Sequence, residues 1–407
     1  MAALRSINQD DLRNHNLSVV LDTMLRSTAP MSRAELAKAT GLTKATMSLL
    51  VPMLVSSDVV REGKPAPMSA YGRPSTPLVI GGGRICGLGL QINTDGYGVT
   101  ALDLDGRTVV ERWVAQPMGN TDPEDIFTEL DVLARECEAF ASEQGYHIVG
   151  AGLALPGLVT ADKRLLTARN LGWEQLELDE FPVVSRLEVR ADNEANMAAL
   201  AQVPGYATQR KSDEGLNPVD SFIYVSTDIG IGGAVVRDGK VDSGMHGFAG
   251  EVGHISVALD GKPCRCGRKG CLEMYAGRKA LIEAAGVDSG DQALRIEAVD
   301  ELIRRWKARE QRTVQAVDIA VDSMVSAMAS AINILDVDTV ILGGLWQRFG
   351  TGVANMIEQR LQPQILGSSA IAVRVRMSNI GTRAALNGAA QVGLRCFLDD
   401  PLEFINS

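Results

Sequence analysis

The chain has 407 residues, of which 45% are hydrophobic, and its formal net charge is −10. This length and composition predict a soluble globular protein of two or three domains with ample core. Because the first fifteen residues are polar and no 18 apolar residues are consecutive, we expect neither export nor membrane insertion, and hence a cytoplasmic protein.

The charge is unevenly distributed along the chain. Residues 1–80, called the head below, contain nine Lys or Arg and six Asp or Glu, a balance of +3. The rest of the chain, called the body, therefore contains 31 basic and 44 acidic residues, a balance of −13. Phosphates would be repelled by the acidic body, so only the head is expected to bind nucleic acid.

The head begins with three predicted helices. The second begins with a capping box at Ser32 and Glu35 and ends at Gly41, and the third begins after Thr43. Val59–Glu62 and Leu78–Ile80 are predicted to pair as a small wing. The apolar positions of the helices have helical spacing. These apolar residues predict that the head has a small hydrophobic core that is separate from the body. The core residues are Leu17, Val20, Leu21, Met24, Leu25, Leu36, Ala37, Met47, Leu50, Val51 and Leu54.

The third helix has the features of a recognition helix. Short polar side chains near its N-terminus are suited to base edges and a Lys is suited to phosphate. Pro52 removes a backbone donor and predicts a kink that leaves the reading half of the helix, Thr43–Leu49, intact. A plain helical bundle without a DNA-binding role is the alternative. The candidate DNA-binding residues are Lys44, Ala45, Thr46 and Ser48.

A linker at 64–77 that is rich in Pro, Ser and Gly precedes the body, and the sequence of the body predicts two similar lobes. The first lobe has predicted strands at Arg84–Asn93, Gly98–Leu104, Thr108–Gln116 and Val149–Leu155, and a helix at Pro123–Gln144. The second repeats this pattern with strands at Phe222–Ser226, Gly233–Arg237 and Val340–Leu342, and a core helix at Thr313–Leu335. A last helix, Ala384–Phe397, is expected to return to the first lobe. Between the lobes, Asp192, Asn193 and Glu194 are placed to cap a helix.

A cluster of soft ligands lies between Gly250 and Glu273. One imidazole and three thiols form the donor set of a closed, tetrahedral structural zinc site. Gly267 and Gly270 allow the turns that such a loop needs. The alternative to a zinc site is a surface loop whose thiols bind no metal. The other three cysteines, Cys86, Cys137 and Cys396, are expected to be small buried thiols. The predicted metal ligands are His254, Cys264, Cys266 and Cys271.

This stretch resembles the signature of the ROK family (repressors, open reading frames and kinases), through Gly-Glu-Val-Gly-His at 250–254 and Cys-x-Cys-Gly-x-x-Gly-Cys-x-Glu at 264–273. The resemblance covers about residues 15–400. It implies an α/β fold, an actin/hexokinase-like two-lobed ROK domain preceded by a winged helix-turn-helix head. In ROK kinases an Asn binds a sugar hydroxyl and the next residue, an Asp, is the general base; here Glu194 stands in the Asp position. The resemblance implies five sugar-binding residues: Asn193, Glu194, Glu251, His254 and Glu273.

The resemblance also bears on phosphate and DNA. ROK kinases end their first strand in Asp-x-Gly-Gly-Thr, but residues 91–95 read Gln-Ile-Asn-Thr-Asp, and Asp228 and Ile229 replace Gly and Thr in the second loop. Each carboxylate opposing a phosphate at about 4 Å costs roughly 4 kcal/mol, so we expect no ATP binding and no enzyme. The Gly-Arg-Pro-Ser run at 72–75 is similar to ROK repressor heads, in which Arg73 would enter a minor groove.

These features predict a sugar-responsive repressor of carbohydrate uptake or catabolism genes. Its partners would be a palindromic operator DNA, a sugar or sugar derivative as effector, and further copies of the chain in a homodimer or homotetramer, without a membrane. One alternative is an ATP-dependent sugar kinase with a DNA-binding appendage, and another is a regulator controlled by a protein partner, with a vestigial sugar site. The predicted domains are 1–80, 81–190 with the return of 381–400, and 191–380 with the zinc site.

Overall fold

The computed structural model describes residues 8–63, 76–211, 215–290 and 295–405. The head contains helices α1 (Gln9–Arg26), α2 (Arg33–Thr40) and α3 (Lys44–Ser56) and strands β1 (Met31–Ser32), β2 (Val60–Glu62) and β3 (Pro77–Ile80). Strand β3 pairs antiparallel with both β2 and β1. The predicted pairing of the wing is confirmed. Strand β1 adds a third strand, which was not predicted from the sequence.

The predicted helix boundaries of the head are confirmed by their capping interactions. The backbone N–H of Ser32 donates to the Glu35 carboxylate at 2.7 Å, and the Ser32 hydroxyl accepts from the Glu35 N–H. Gly41 ends α2 with a φ of 74°, and the Thr43 hydroxyl accepts a 3.1 Å hydrogen bond in the first turn of α3. Helix α3 continues past Pro52, and the kink there stays a prediction.

The first lobe is built on a five-stranded sheet with the order β6-β5-β4-β7-β11. Strands β4, β5 and β6 are antiparallel, and β7 and β11 extend the sheet in parallel. Strands β8, β9 and β10 form a separate small sheet. The elements are β4 (Ile85–Asn93), β5 (Gly96–Asp103), β6 (Thr108–Ala115), α4 (Pro123–Glu143), β7 (His147–Leu155), β8 (Leu158–Val159), β9 (Arg164–Ala168), β10 (Trp173–Glu177), α5 (Pro182–Arg186), β11 (Arg190–Asn193) and α6 (Glu194–Leu200).

The second lobe repeats this sheet in the order β14-β13-β12-β15-β16, with the same alternation of antiparallel and parallel pairs. The predicted repetition is thus confirmed. The elements are β12 (Phe222–Thr227), β13 (Ile231–Arg237), β14 (Lys240–Val241), α7 (Glu273–Ala276), α8 (Arg278–Ala284), α9 (Ile296–Lys307), α10 (Gln311–Leu335), β15 (Thr339–Gly344), α11 (Leu345–Phe349), α12 (Thr351–Leu361), β16 (Arg374–Met377), α13 (Ala384–Asp399) and α14 (Pro401–Ile405). Short 3-10 helices in the described residues include Leu178–Glu180, Val252–His254 and Gln362–Gln364.

Helix α13 returns to the first lobe, as predicted, and packs on β4, β7 and α6. The approach is close because glycines face it: a Cβ on Gly89 would lie 2.4 Å from the carbonyl oxygen of Leu386. Helix α10 is the one helix in the described ranges that is long and apolar enough to cross a membrane. Because 61% of its most apolar window is buried in the protein, α10 has the character of the core helix that the sequence predicts.

All the residues predicted to form the core of the head are buried, as expected, but in the described residues this core is continuous with the body, so the expectation of a separate core is wrong. A single cluster of buried residues joins its three helices to α13. Arg395 of α13 also donates a 3.0 Å hydrogen bond to the carboxylate of Asp22 on α1. Helical spacing identifies an apolar face but does not say what covers it. The cluster includes Leu17, Leu21, Leu50 and Leu54 of the head and Ala390, Leu394 and Phe397 of α13.

Candidate functional site

A cleft of about 300 Å³ lies between the two lobes and is lined by all five residues predicted to bind sugar. Asn193 ends β11 and Glu194 begins α6, Glu251 and His254 lie at the 3-10 helix before the cysteine-rich loop, and Glu273 begins α7. A larger depression of about 650 Å³ lies at the edge of the second lobe near β16, and none of these five residues lines it. The cleft is therefore the candidate site.

Asn193 is the N-cap of α6. Its side-chain oxygen accepts from the N–H of Ala195, and its amide nitrogen donates to the carbonyl of Gly157, both at 2.7 Å. The capping role, which the sequence predicts as an alternative, is thus present. A primary amide has two donor hydrogens and two lone pairs. Asn193 therefore keeps one donor and one acceptor for a ligand in the cleft.

Glu194 is a half-buried carboxyl group beside Gln91, whose amide donates to it at 3.4 Å. Burial, and then the nearby charge of Asp228, raises the pKa of Glu194 from 4.5 to about 8. A carboxyl that is protonated near neutral pH can donate a hydrogen bond as well as accept one. The side-chain oxygen of Gln91 is buried and has no partner within the described part of the chain, so it offers a ligand a further acceptor.

Glu251, His254 and Glu273 form the side of the cleft nearest the cysteine-rich loop. The Nε2 atom of His254 lies 3.9 Å from a carboxylate oxygen of Glu251, while its Nδ1 atom faces the sulfur of Cys264 at 3.8 Å. Burial raises the pKa of Glu251. The carboxylate of Glu273 accepts from the backbone N–H of Ile231 at 3.2 Å, which fixes its position.

The four predicted metal ligands converge on one point: their ligand atoms all lie within 4.8 Å of one another. The sulfur atoms of Cys266 and Cys271 are 3.6 Å apart. A tetrahedral site with zinc–sulfur bonds of about 2.3 Å places its sulfurs about 3.8 Å apart, close to the distance between Cys266 and Cys271, so this donor set fits such an ion. Gly270 has a φ of 72°, and a Cβ there would lie 1.7 Å from the carbonyl oxygen of Ala258. The loop thus requires glycine at this position.

The region where ROK kinases have phosphate loops contains an ion pair. Asp95 accepts a 2.8 Å hydrogen bond from Arg278, whose side chain is 5% exposed. The expectation that ATP is repelled takes Asp95 to be an unpaired carboxylate. In the structure Asp95 is paired with Arg278. Asp228 lies nearby, and its burial, followed by the charge of Asp95, raises its pKa to about 6.

The candidate DNA-binding residues lie on α3 with the exception of Arg73, which is outside the described residues together with the 72–75 run. Lys44, Ala45 and Ser48 are exposed, whereas Thr46 is half-buried. The prediction of DNA contacts stays untested. Leu49, the last residue of the half of the helix that is predicted to read DNA, was not named as a DNA contact, and its side chain is 72% exposed.

Among the residues that line the cleft, several were not predicted from the sequence, including two on a turn of the first lobe. Arg169 and Asn170 lie between β9 and β10 and line the cleft, and Arg169 donates a hydrogen bond to the backbone carbonyl of Arg265 in the cysteine-rich loop. This contact joins the first lobe to the loop that contains the metal ligands. No local sequence motif identifies this turn, because the loop that it contacts is almost 100 residues away in the sequence.

Comparisons with known proteins agree with this architecture. The ROK family model matches residues 88–395. A xylose repressor from Caldicellulosiruptor bescii is 27% identical, over 97% of this chain and 99% of that protein. A glucokinase from Halalkalibacterium halodurans is 27% identical, over 59% of this chain and 74% of that protein.

Among solved structures, a ROK family transcriptional regulator, homologue of the E. coli MLC protein, has a TM-score of 0.76 at 21% identity. The match covers 97% of this chain and 98% of that chain. The predicted fold class, a two-lobed hexokinase-like domain preceded by a winged helix-turn-helix head, is therefore confirmed. Because the family model extends over most of the chain, the protein belongs to the ROK family.

Proposed function

We propose that the protein is a sugar-responsive DNA-binding regulator that represses genes of carbohydrate uptake or catabolism. The near full-length similarity to a xylose repressor supports this function, since the similarity includes the head. The similarity to a glucokinase extends over only part of the chain. Such a regulator acts in the cytoplasm, on a palindromic operator, as a homodimer or homotetramer.

The observation that carries this proposal is a direct connection between the cleft and the head. Helix α6 begins at Glu194 in the cleft, and residues 201–211 continue from its end to α1. The side chain of Gln209 donates to two carbonyls at the C-terminal end of α1, at 2.7 and 3.2 Å. The N–H of Arg210 donates to the carbonyl of Leu25 at 2.8 Å. A ligand that shifts α6 therefore acts directly on the first helix of the head.

The side chains of the cleft are suited to a polyhydroxylated ligand. Carboxylates accept hydrogen bonds from neighbouring hydroxyls, and Asn193 offers one donor and one acceptor. Glu194, with its raised pKa, can supply a donor near neutral pH. Sugar hydroxyls both donate and accept, so they can satisfy this mixed set, and the roles are proposed for Asn193, Glu194, Glu251, His254 and Glu273.

The proposed resident metal is structural zinc, held by the Nδ1 atom of His254 and the thiolates of Cys264, Cys266 and Cys271. When bound, the ion would cross-link the loop. The Nε2 atom of His254 would remain directed toward Glu251, since a metal-bound imidazole keeps its second nitrogen for an outer partner. The chain's own part is to position two carboxylates and one imidazole on the same side of the cleft.

The proposed DNA-binding surface is the N-terminal half of α3. Lys44 would contact phosphate, and Ala45, Thr46 and Ser48 would face the bases, with Arg73 in the adjacent minor groove. The acidic body would be repelled by DNA, which favours an approach through the head alone.

The test uses the full-length protein. An operator is selected from random duplexes, and hexoses, pentoses, N-acetyl sugars and their phosphates are screened by thermal shift. We expect at least one sugar to raise the Tm and to change operator affinity at least tenfold, because a ligand of the folded state stabilises it. Turnover in a coupled ADP-release assay would support a kinase instead. Operator binding without any sugar-induced shift would support control by a protein partner.

A further inference from the structure

Helix α3 has an exposed face that is apolar rather than polar. Leu49 is 72% exposed, more than any other large hydrophobic side chain in the described part of the head. Ala45 lies one turn before it and Pro52 one turn after it, and both are exposed. Because residues three and four apart share a helix face, these three side chains form one apolar strip.

The hydroxyl groups beside this strip are largely occupied within the helix. The Ser48 hydroxyl donates to the carbonyl of Lys44 at 2.9 Å. The hydroxyls of Thr43 and Thr46 lie 2.9 Å apart, so one donates to the other. The hydroxyls of the N-terminal half of α3 therefore have few free donors with which to read base edges, while Leu49 is its one large hydrophobic side chain that is exposed.

We propose that Leu49 reads the 5-methyl group of a thymine in each operator half-site. The inference rests on the proposed function and specifies the base preference of the same surface. Thymine is the only base with an apolar group at its major-groove edge, and apolar side chains recognise it by contact. Lys44, one and a half turns earlier on α3, provides the positive charge that holds the helix against the phosphates.

A protein partner is a poorer occupant for this strip. Stable protein interfaces bury about 800 Å² on each partner, and one leucine with an alanine and a proline cannot supply that area. A single methyl contact, in contrast, needs only one exposed apolar side chain at the groove edge. The +3 balance of the head against −13 for the body also favours an anionic occupant.

The experiment replaces each thymine of the selected operator by deoxyuridine, symmetrically in both half-sites. This removes only the 5-methyl group and keeps base pairing. Affinity is measured by fluorescence anisotropy at one fixed salt concentration. For the wild type we expect one thymine position at which the change weakens binding about fourfold for each half-site, the effect of losing one buried methyl group.

Three variants test the assignment to Leu49. Leu49→Ala should bind the thymine and deoxyuridine operators equally, and Leu49→Met should keep the preference for thymine. The matched control Leu12→Ala, at an exposed leucine of α1 rather than α3, should also keep it. The Tm of each variant establishes that it is folded, and Leu49 is exposed, so each should fold.

Two outcomes would overturn the inference alone: wild-type binding that is insensitive to deoxyuridine at every position, or an unchanged deoxyuridine penalty in Leu49→Ala. If no operator can be selected at all, the proposed function fails together with the inference. The two failures are therefore distinguishable.

Discussion

Asp95 and Arg278 connect the two lobes through a 2.8 Å hydrogen bond between carboxylate and guanidinium. Asp95 lies in the turn between β4 and β5 of the first lobe, and Arg278 begins α8 of the second. In ROK kinases this turn has the sequence of a phosphate loop. Here a pair of opposite charges lies in that place, so the cleft has a cross-lobe contact that requires no nucleotide.

Breaking this pair should destabilise the protein. Asp95→Asn removes a charged hydrogen-bond partner of the buried Arg278 guanidinium, and we expect the free energy of unfolding to fall by about 1–3 kcal/mol. Urea unfolding followed by circular dichroism measures the change. Asp162→Asn is the control, because Asp162 pairs with Arg164 in an exposed ion pair, whose loss should lower the free energy of unfolding by less than the loss of the cross-lobe pair does. Equal losses in the two variants would contradict the structural role of the cross-lobe pair.

Lys44→Ala should weaken binding to operator and to random DNA by the same factor. A phosphate contact carries no sequence information, and its removal should reduce the slope of log affinity against log salt by about one. Anisotropy titrations at several salt concentrations measure both effects. Lys240→Ala, an exposed change on β14 of the body, should leave the slope unchanged. A wild-type slope in Lys44→Ala would exclude Lys44 from the phosphate contacts.

Cys264→Ser should separate sugar sensing from DNA binding. Without the metal cross-link, the residues that hold Glu251, His254 and Glu273 in place must be ordered by the sugar itself, at about 1–2 kcal/mol for each residue. The variant should therefore lose the sugar response and keep operator binding. Gel-shift titration, metal analysis and size-exclusion chromatography are the measurements. Cys396→Ser, outside the cluster, is the control.

Retained metal in Cys264→Ser would point to a ligand set other than the proposed one. A variant that lacks metal, keeps its oligomeric state and still responds at the wild-type sugar concentration would show that the metal does not support the sensor.

The stability should fall as the pH rises from 6.5 to 8. The pKa of Glu194 is raised in the folded state to about 8, so over this range the folded protein binds more protons at this site than the unfolded chain. The pKa of Asp228, raised to about 6, acts in the same direction at lower pH. Urea unfolding at both pH values should give a loss of about 1–2 kcal/mol. This loss should disappear in Glu194→Gln and persist in the exposed control Glu174→Gln; a wild-type stability that rises with pH would refute the assignment.

Gln209→Ala should weaken the coupling between sugar and operator. The variant loses the side chain that donates to the last carbonyls of α1, and coupling free energies between sites are typically about 1–3 kcal/mol. We expect the ratio of operator affinities with and without sugar to decrease at least fivefold, while the sugar concentration that gives half of the thermal shift stays constant. Gln144→Ala, at the exposed end of α4, should leave the ratio unchanged. An unaltered ratio in Gln209→Ala would exclude this contact from the coupling.

Elements with strong local signals could be predicted from the sequence. The capping box at Ser32 and Glu35, the stop at Gly41 and the apolar stripe of α10 each depend on residues within a few turns of one another. Strands β11 and β16 could not be predicted. Each has four residues and at most one fully buried side chain. The residues of β11, Arg-Ala-Asp-Asn, do not alternate between apolar and polar, and the alternation in β16, Arg-Val-Arg-Met, is too short to identify a strand.

In the candidate site, too, the residues that lie close together in the sequence could be predicted, and the contacts between distant residues could not. His254 and the three cysteines lie within 18 residues, so their spacing alone indicates a metal cluster. The partner of Asp95 is 183 residues away, and Gln209 contacts carbonyls more than 180 residues earlier. Such contacts depend on how the two lobes and the head pack against one another. The periodicity of the sequence carries no information about this packing.

The core that the head shares with α13 has an evolutionary consequence. A helix-turn-helix that is merely tethered could be exchanged between regulators as a module, but here α1 must fit the C-terminal helix of its own body. Changes in α1 therefore require compensating changes near Leu394 and Phe397. The exposed face of α3 has no such constraint, so operator preference can diverge through α3 while sugar sensing is inherited unchanged.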